Sequence, residues 1–243
     1  LYNQGQLIGQ YLRYFESGEK ESMAHYNEGV LDGKILEWYE NGTEKSIYHY
    51  SGGMLHSPKG QPTVIMYDQS GAIIEIQYFE NNIPVKSHIK YHPNERESYN
   101  VSFQNGKKNG KEVWFSDTGR LIGEGLYAEG KKVGKHWKEH ENGTISFLAN
   151  YDTEGGLKEP IRLFDKQGQK TAEYFLSEDD VFDGKYQIWF SNGQLSQEAF
   201  YAKGELDGVA KEWYEDGTLA FSGAFNEGNK EGTFCEFFPD GSK

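Results

Sequence analysis

Gly33-Lys-Ile-Leu-Glu-Trp38-Tyr39-Glu-Asn41-Gly42-Thr-Glu-Lys-Ser-Ile-Tyr-His-Tyr50 is the stretch from which the rest of the chain can be read. An Asn-Gly pair stands between two short segments rich in aromatic and β-branched residues. That arrangement predicts a β-hairpin with a two-residue type I′ turn, whose central residues both need positive φ. The stretch recurs as Gly208-Val-Ala-Lys-Glu-Trp213-Tyr214-Glu-Asp216-Gly217-Thr-Leu-Ala-Phe-Ser-Gly-Ala-Phe225. Asn142-Gly143 and Asn192-Gly193 repeat the turn, and Ser17-Gly18, Thr118-Gly119 and Gln167-Gly168 are looser copies.

Working outward, Gly18, Gly42, Gly71, Gly119, Gly143, Gly168, Gly193, Gly217 and Gly241, with Asn94 in the equivalent place, recur about every 24 residues. A second turn follows each unit at Glu28-Gly29, Glu129-Gly130, Lys203-Gly204 and Glu227-Gly228, with another glycine four residues on. No window sustains an i, i+3, i+4, i+7 apolar stripe, so helices are not expected. The expected fold is all-β: an elongated, single-layer antiparallel β-meander of about ten hairpin units, coiled into a twisted ribbon. Twenty strands about 4.8 Å apart would extend roughly 95 Å. Residues 1–243 read as one repeat array, degenerate near 54–104, where prolines intrude and one step stretches to 29, and near 151–180.

The register follows from the turn. Closing Asn41-Gly42 as a two-residue loop places Tyr50 opposite Gly33. The same count sets Tyr26 on Gly9, Tyr127 on Gly110, Tyr151 on Gly134, Tyr201 on Gly184 and Phe225 on Gly208. A ring laid across bare glycine backbone restores packing that glycine lacks. Five residues beyond each glycine comes a second ring, as at Tyr14, Trp38, Tyr67, Phe115, Phe164, Trp189, Trp213 and Phe237; Trp137 takes that role two residues early.

The motif Gly-x-x-x-x-(Trp/Tyr/Phe)-(Tyr/Phe)-x-x-Gly, with an aromatic eight residues on, resembles the MORN repeat, and most closely its bacterial variant with the Tyr-x-Asn-Gly turn. The resemblance covers essentially the whole chain and is strongest at 1–53, 105–150 and 181–243. It implies a single-layer twisted sheet used as a scaffold and binding surface. Bacterial proteins of this type are often antitoxins or immunity proteins that occlude a partner toxin, and others are secreted or surface proteins. Eukaryotic relatives are linked to phospholipid binding, which a net charge of −13 disfavours here.

That charge, with a pI of about 5.0, repels phosphate backbones and steers basic partners, so nucleic acid is excluded and a membrane surface is a poor partner. A single cysteine, Cys235, rules out an internal disulfide, and no run approaches a membrane span. The sequence opens at Leu1 without methionine while the period is already running by Gly5. We expect a signal or lipoprotein segment, or an omitted region, ahead of it. The compartment is then the bacterial periplasm or envelope, or else the cytoplasm.

No catalytic constellation stands out: there is no Gly-x-Ser-x-Gly elbow, and Gly123-x-Gly125 lacks the rest of a dinucleotide fingerprint. His136 with His140, and His88 with His92, lie about 13 Å apart along a strand, too far for one metal ion, and read as polar surface residues. Asn41-Gly-Thr43 and Asn142-Gly-Thr144 match the glycosylation sequon, but the hairpin already explains them. No metal or cofactor is expected. The candidate partner-binding residues are Trp38, Trp114, Trp137, Trp189 and Trp213, as packing rings that could also form a hot-spot strip. Glu178, Asp179, Asp180 and Asp183 join them as an acidic turn able to dock a basic surface. Met54–Gly60, Asn81–Val85 and His92–Asn94 depart from the repeat and are expected to reshape loops. The functional expectation is a non-enzymatic protein-binding scaffold, foremost an immunity protein or antitoxin that sterically inhibits a basic toxin or effector. The alternative is a secreted or cell-surface structural repeat protein.

Overall fold

The computed structural model describes residues 2–58 and 60–243, and among these residues there are strands and turns but no helix. Two turn types alternate, and they occupy the opposite ends from those expected. At Asn41-Gly42 only the glycine enters the left-handed region, with φ 83°. The Gly42 N–H donates to the Tyr39 carbonyl and the Tyr39 N–H to the Thr43 carbonyl, both at 2.9 Å. This is a three-residue loop built on a type I turn with glycine in the bulge position, not a type I′ turn. The type I′ geometry lies at the other end of the unit. There Glu28 and Gly29 have φ of 48° and 81°, Glu129 and Gly130 49° and 90°, and Lys203 and Gly204 52° and 87°.

The expected register stands despite the wrong turn, because a bulge just inside each tip absorbs the extra loop residue. Trp38 pairs with Glu44 but Glu37 pairs with Ser46, leaving Lys45 unpaired. The same shift falls at Arg13/Tyr14, Lys138/Glu139, Ile188/Trp189 and Glu212/Trp213. Gly9↔Tyr26, Gly33↔Tyr50, Gly134↔Tyr151, Gly184↔Tyr201 and Gly208↔Phe225 are therefore present. The reason for these glycines is different. Gly33, Gly184 and Gly208 carry φ of 105°, 111° and 116°, which only glycine adopts freely. The opposing ring packs on the side chain two residues further on: Tyr26 on Tyr11 (6.3 Å between centroids), Tyr151 on His136 (5.1 Å) and Tyr201 on Tyr186 (5.7 Å).

The chain divides into two compact units. One runs to Leu121 and includes Tyr127–Gly130; the other comprises Ile122–Leu126 and Lys131–Lys243. In the first, Gly9–Tyr14, Lys20–Asn27, Gly33–Trp38, Glu44–Ser51, Val64–Tyr67, Ile73–Gln77, Lys86–Tyr91, Glu97–Gln104 and Lys107–Phe115 pair in chain order, each antiparallel to the next. In the second, Lys131–Glu139, Ile145–Tyr151, Ile161–Phe164, Lys170–Leu176, Phe182–Trp189, Leu195–Ala202, Gly208–Trp213, Leu219–Asn226 and Asn229–Glu236 do the same. The second unit centres on Ala149, Tyr151 and Ile161, with Phe147, Leu163 and Tyr174 against them.

The degenerate region keeps more of the repeat than its sequence implies. Asn81 and Asn82 form a type I′ turn with φ of 51° and 65°. The left-handed tip residue there is Glu95 (φ 65°), not Asn94, so Gly71, Glu95 and Gly119 are evenly spaced. The stretch after Met54 is the true insertion; Lys59 within it lies outside the described residues. The Asn82 side chain accepts from the Leu55 N–H at 2.7 Å, and the Ser57 N–H donates to the Phe79 carbonyl at 2.9 Å, binding the insertion to the next hairpin.

Candidate functional site

Strand side chains alternate between faces, so each unit has a face carrying the glycine–ring pairs and an opposite face. Register carries one row of side chains across every strand of the opposite face. In the first unit the row reads Leu12, Met23, Leu36, Ile47, Ile65, Ile76, Ile89, Asn100, Val113. At about 4.8 Å per strand it runs roughly 38 Å. One step toward the tips lies a second row of rings that includes Tyr14, Trp38, Tyr67 and Tyr91. Tyr14 is 55% exposed, and most of the band is half-buried.

The same row in the second unit is polar: Trp137 and Leu148 give way to Arg162, Glu173, Gln187, Glu198, Lys211, Ser222 and Cys235. Arg162 bridges Glu159 and Glu173 at 3.0 Å each, Lys170 reaches Glu173 at 3.1 Å and Lys185 reaches Glu198 at 2.9 Å. Partial burial raises the Glu173 pKa, but hydrogen bonds from Lys170 and Arg162 outweigh it and hold the carboxyl below its ordinary value. The repeat thus accepts ions along this row in one unit and aliphatic side chains in the other, where Ile47 is buried at 7% exposed and its row neighbours Leu36 and Ile65 stay half-buried.

The five tryptophans divide between faces. Trp38, Trp137, Trp189 and Trp213 lie on the face of the row and Trp114 on the ring face, all half-buried. They are therefore not one strip. Lys170 Nζ sits 3.9 Å from the Trp189 ring centroid, a cation–π contact. Glu178, Asp179, Asp180 and Asp183 are exposed at the turn end of the second unit. Asp180, 73% exposed and left-handed (φ 57°), pairs with Lys132 at 3.6 Å.

His88, His92, His136 and His140 are not surface residues but buried or half-buried. His136 is 6% exposed, and its Nε2 lies 2.9 Å from the Leu126 carbonyl. His88 lies between Phe79 and Phe103, with centroids at 5.2 and 4.5 Å. Its Nε2 is buried without a hydrogen-bond partner, and burial pushes its pKa below the ordinary imidazole value. His92 and His140 reach across one repeat to the Phe115 and Phe164 carbonyls at 2.8 Å.

One cluster was missed from sequence. On the ring face of the first unit, Glu112 is only 5% exposed. Lys108 donates to it at 2.5 Å and the Tyr99 hydroxyl at 2.6 Å. Desolvation works against its ionised form, but these hydrogen bonds prevail and its pKa is lowered, while burial and the carboxylate push the Tyr99 phenol far upward. Beside this ion pair, in which Glu112 is buried and Lys108 partly exposed, opens a hollow of about 580 Å³. The signal was available: two residues beyond the strand glycines Gly9, Gly33, Gly134, Gly184, Gly208 and Gly232 stand Tyr11, Ile35, His136, Tyr186, Ala210 and Phe234, whereas after Gly110 stands a carboxylate.

Comparison with known proteins bears on this geometry. The MORN repeat variant family matches residues 182–203 and 206–226, two successive hairpin units of the second compact unit. The chain carries MORN-variant repeats. Its all-β meander of hairpins is the expected architecture for them, and it makes the chain a repeat scaffold. No curated protein sequence matches the chain. Among solved structures it aligns with the crystal structure of TcdB2-TccC3 at 12% identity and a TM-score of 0.20, over 95% of this chain and 14% of that one. It also aligns with TcdB2-TccC3-Cdc42 at 10% identity and a TM-score of 0.18, over 88% and 13%. A third alignment is with the Photorhabdus luminescens Tc holotoxin pore, at 12% identity and a TM-score of 0.15, over 91% and 16%. The chain thus spans about one-seventh of the length of the solved chains it aligns with.

Proposed function

We propose that this MORN-variant protein is a non-enzymatic protein-binding scaffold, acting as a bacterial immunity protein or antitoxin that covers the working surface of a basic toxin or effector. The observation that carries the reading is the contrast between the two rows. The position filled by Arg162, Glu173, Glu198 and Lys211 in one unit is filled by Leu36, Ile47, Ile65 and Ile76 in the other. An apolar band confined to one unit is the kind of surface a protein partner desolvates. Charge supplies the sign of the partner. Residues 151–243 hold 19 Asp and Glu against 9 Lys and Arg, a field that raises encounter rates with a basic protein.

The test is co-expression with the product of the neighbouring gene, followed by size exclusion and a growth assay. A stoichiometric complex and restored growth are expected. Absence of both complex and protection contradicts the inhibitor role. Recovery in envelope fractions without such a complex favours the surface-scaffold alternative.

A further inference from the structure

We propose that the hollow beside Glu112 is a binding site for a short neutral oligosaccharide. It lies on the ring face of the first unit, opposite the apolar band, and does not depend on a protein partner. Its walls combine the Trp114 and Tyr99 rings (centroids 5.6 Å apart, planes at 52°) with Phe103, Glu75, Lys90 and Ser98. The volume, about 580 Å³, falls within the range of small-molecule pockets.

The departures from the repeat converge on this hollow. Four residues beyond the left-handed glycine the other units place Arg13, Glu37, Lys138, Ile188 or Glu212; after Gly110 the residue is Trp114. Two residues beyond, a buried carboxylate replaces a ring or aliphatic side chain. Burying that charge in a sheet this thin is costly, and its ion pair with Lys108 is weak evidence for stability. Such a substitution fits a group that fixes the polar wall of a site: Glu112 orients Lys108 and the Tyr99 hydroxyl at the edge of the aromatic wall.

The chemistry selects the ligand. Positive groups are matched by carboxylates, Lys90 to Glu75 at 3.9 Å and Lys108 to Glu112 at 2.5 Å, so a net-charged ligand meets no uncompensated partner. A neutral molecule bearing adjacent hydroxyls, each both donor and acceptor, can use an ammonium and a carboxylate side by side. A pyranose also offers a flat face of C–H groups that packs on an indole ring. Glu75 is held in place by the Gln77 amide at 2.6 Å, which leaves an oriented acceptor.

The experiment is isothermal titration calorimetry of the full chain with cellohexaose, maltohexaose and chitohexaose, with inorganic phosphate and a sulfated disaccharide as charged probes. At least one neutral hexasaccharide should bind with saturable heat. Glu75→Gln and Lys90→Met should each weaken it about tenfold or more, Trp114→Ala should abolish it, and Trp189→Ala should leave it unchanged. If Trp114→Ala fails to fold, the two polar variants at the rim decide the matter. Absence of binding by all three neutral sugars, preference for the charged probes, or unaltered affinity in both polar variants overturns the assignment.

Discussion

Gly125 is buried at an ordinary backbone conformation, and what it supplies is space. A Cβ there would lie 2.3 Å from Nδ1 and 2.6 Å from Cε1 of His136, whose far nitrogen is engaged at the Leu126 backbone. Gly223 makes the same room for the Phe234 ring. Gly125→Ala should therefore cost about 1–3 kcal/mol by overpacking, seen as a lower urea midpoint with unchanged slope. His88 gives a pH prediction. Its depressed folded pKa means that the unfolded chain takes up the proton more readily. Its contribution is thus fully present above the ordinary imidazole value near 6.5 and is lost as pH falls through the folded value. The melting temperature should drop below about pH 6.5, and His88→Gln should flatten that drop; an unchanged slope would dismiss His88 as its source. These roles were not legible in the sequence, because a histidine's burial depends on which rings register brings over it.

Turns and strands were legible to different depths. The Asn-Gly signal located every hairpin tip it named but assigned the wrong turn. Asn142 is selected for its hydrogen bonds instead of a positive φ. Its Oδ1 accepts from the Thr144 N–H at 3.1 Å, and its amide donates to the Lys166 carbonyl of the next repeat at 2.6 Å. Asn192 stitches to Glu215 in the same way at 2.8 Å. Loss of the stitch in Asn142→Ala should cost roughly 1 kcal/mol. Several type I′ turns instead hold residues poorly suited to them, such as Glu28 at φ 48°, while Asn81-Asn82 and Asn105-Gly106 suit the geometry. Glu28→Asn should stabilise the chain by about 0.5–1 kcal/mol, because asparagine tolerates the left-handed region better. A destabilised Glu28→Asn variant would contradict the turn assignment. Register survived the turn error because loop and bulge each add one residue, on opposite sides of the count.

At the scale of the molecule, the repeat makes each position comparable with itself. Three residues beyond the strand glycines Gly9, Gly33, Gly110, Gly134, Gly184, Gly208 and Gly232 stand Leu12, Leu36, Val113, Trp137, Gln187, Lys211 and Cys235, a column that passes from aliphatic to polar along the chain. That passage was present in the sequence. Pooled composition and the net charge of −13 concealed it, as they did the excess of Lys and Arg between 107 and 138. Association with a basic partner should slow as salt rises, since the acidic field acts through solvent. The central claim is that the aliphatic band, not the charged row, is where a partner docks. Lys211 already occupies the row, so a lysine there is compatible with the fold. The deciding measurement is the Kd of the partner complex for Ile65→Lys beside Gln187→Lys. The account predicts a loss of about 30-fold or more for Ile65→Lys, of order 2 kcal/mol, with Gln187→Lys near the parent value. Equal affinities for the two variants, or a loss confined to Gln187→Lys, would contradict it.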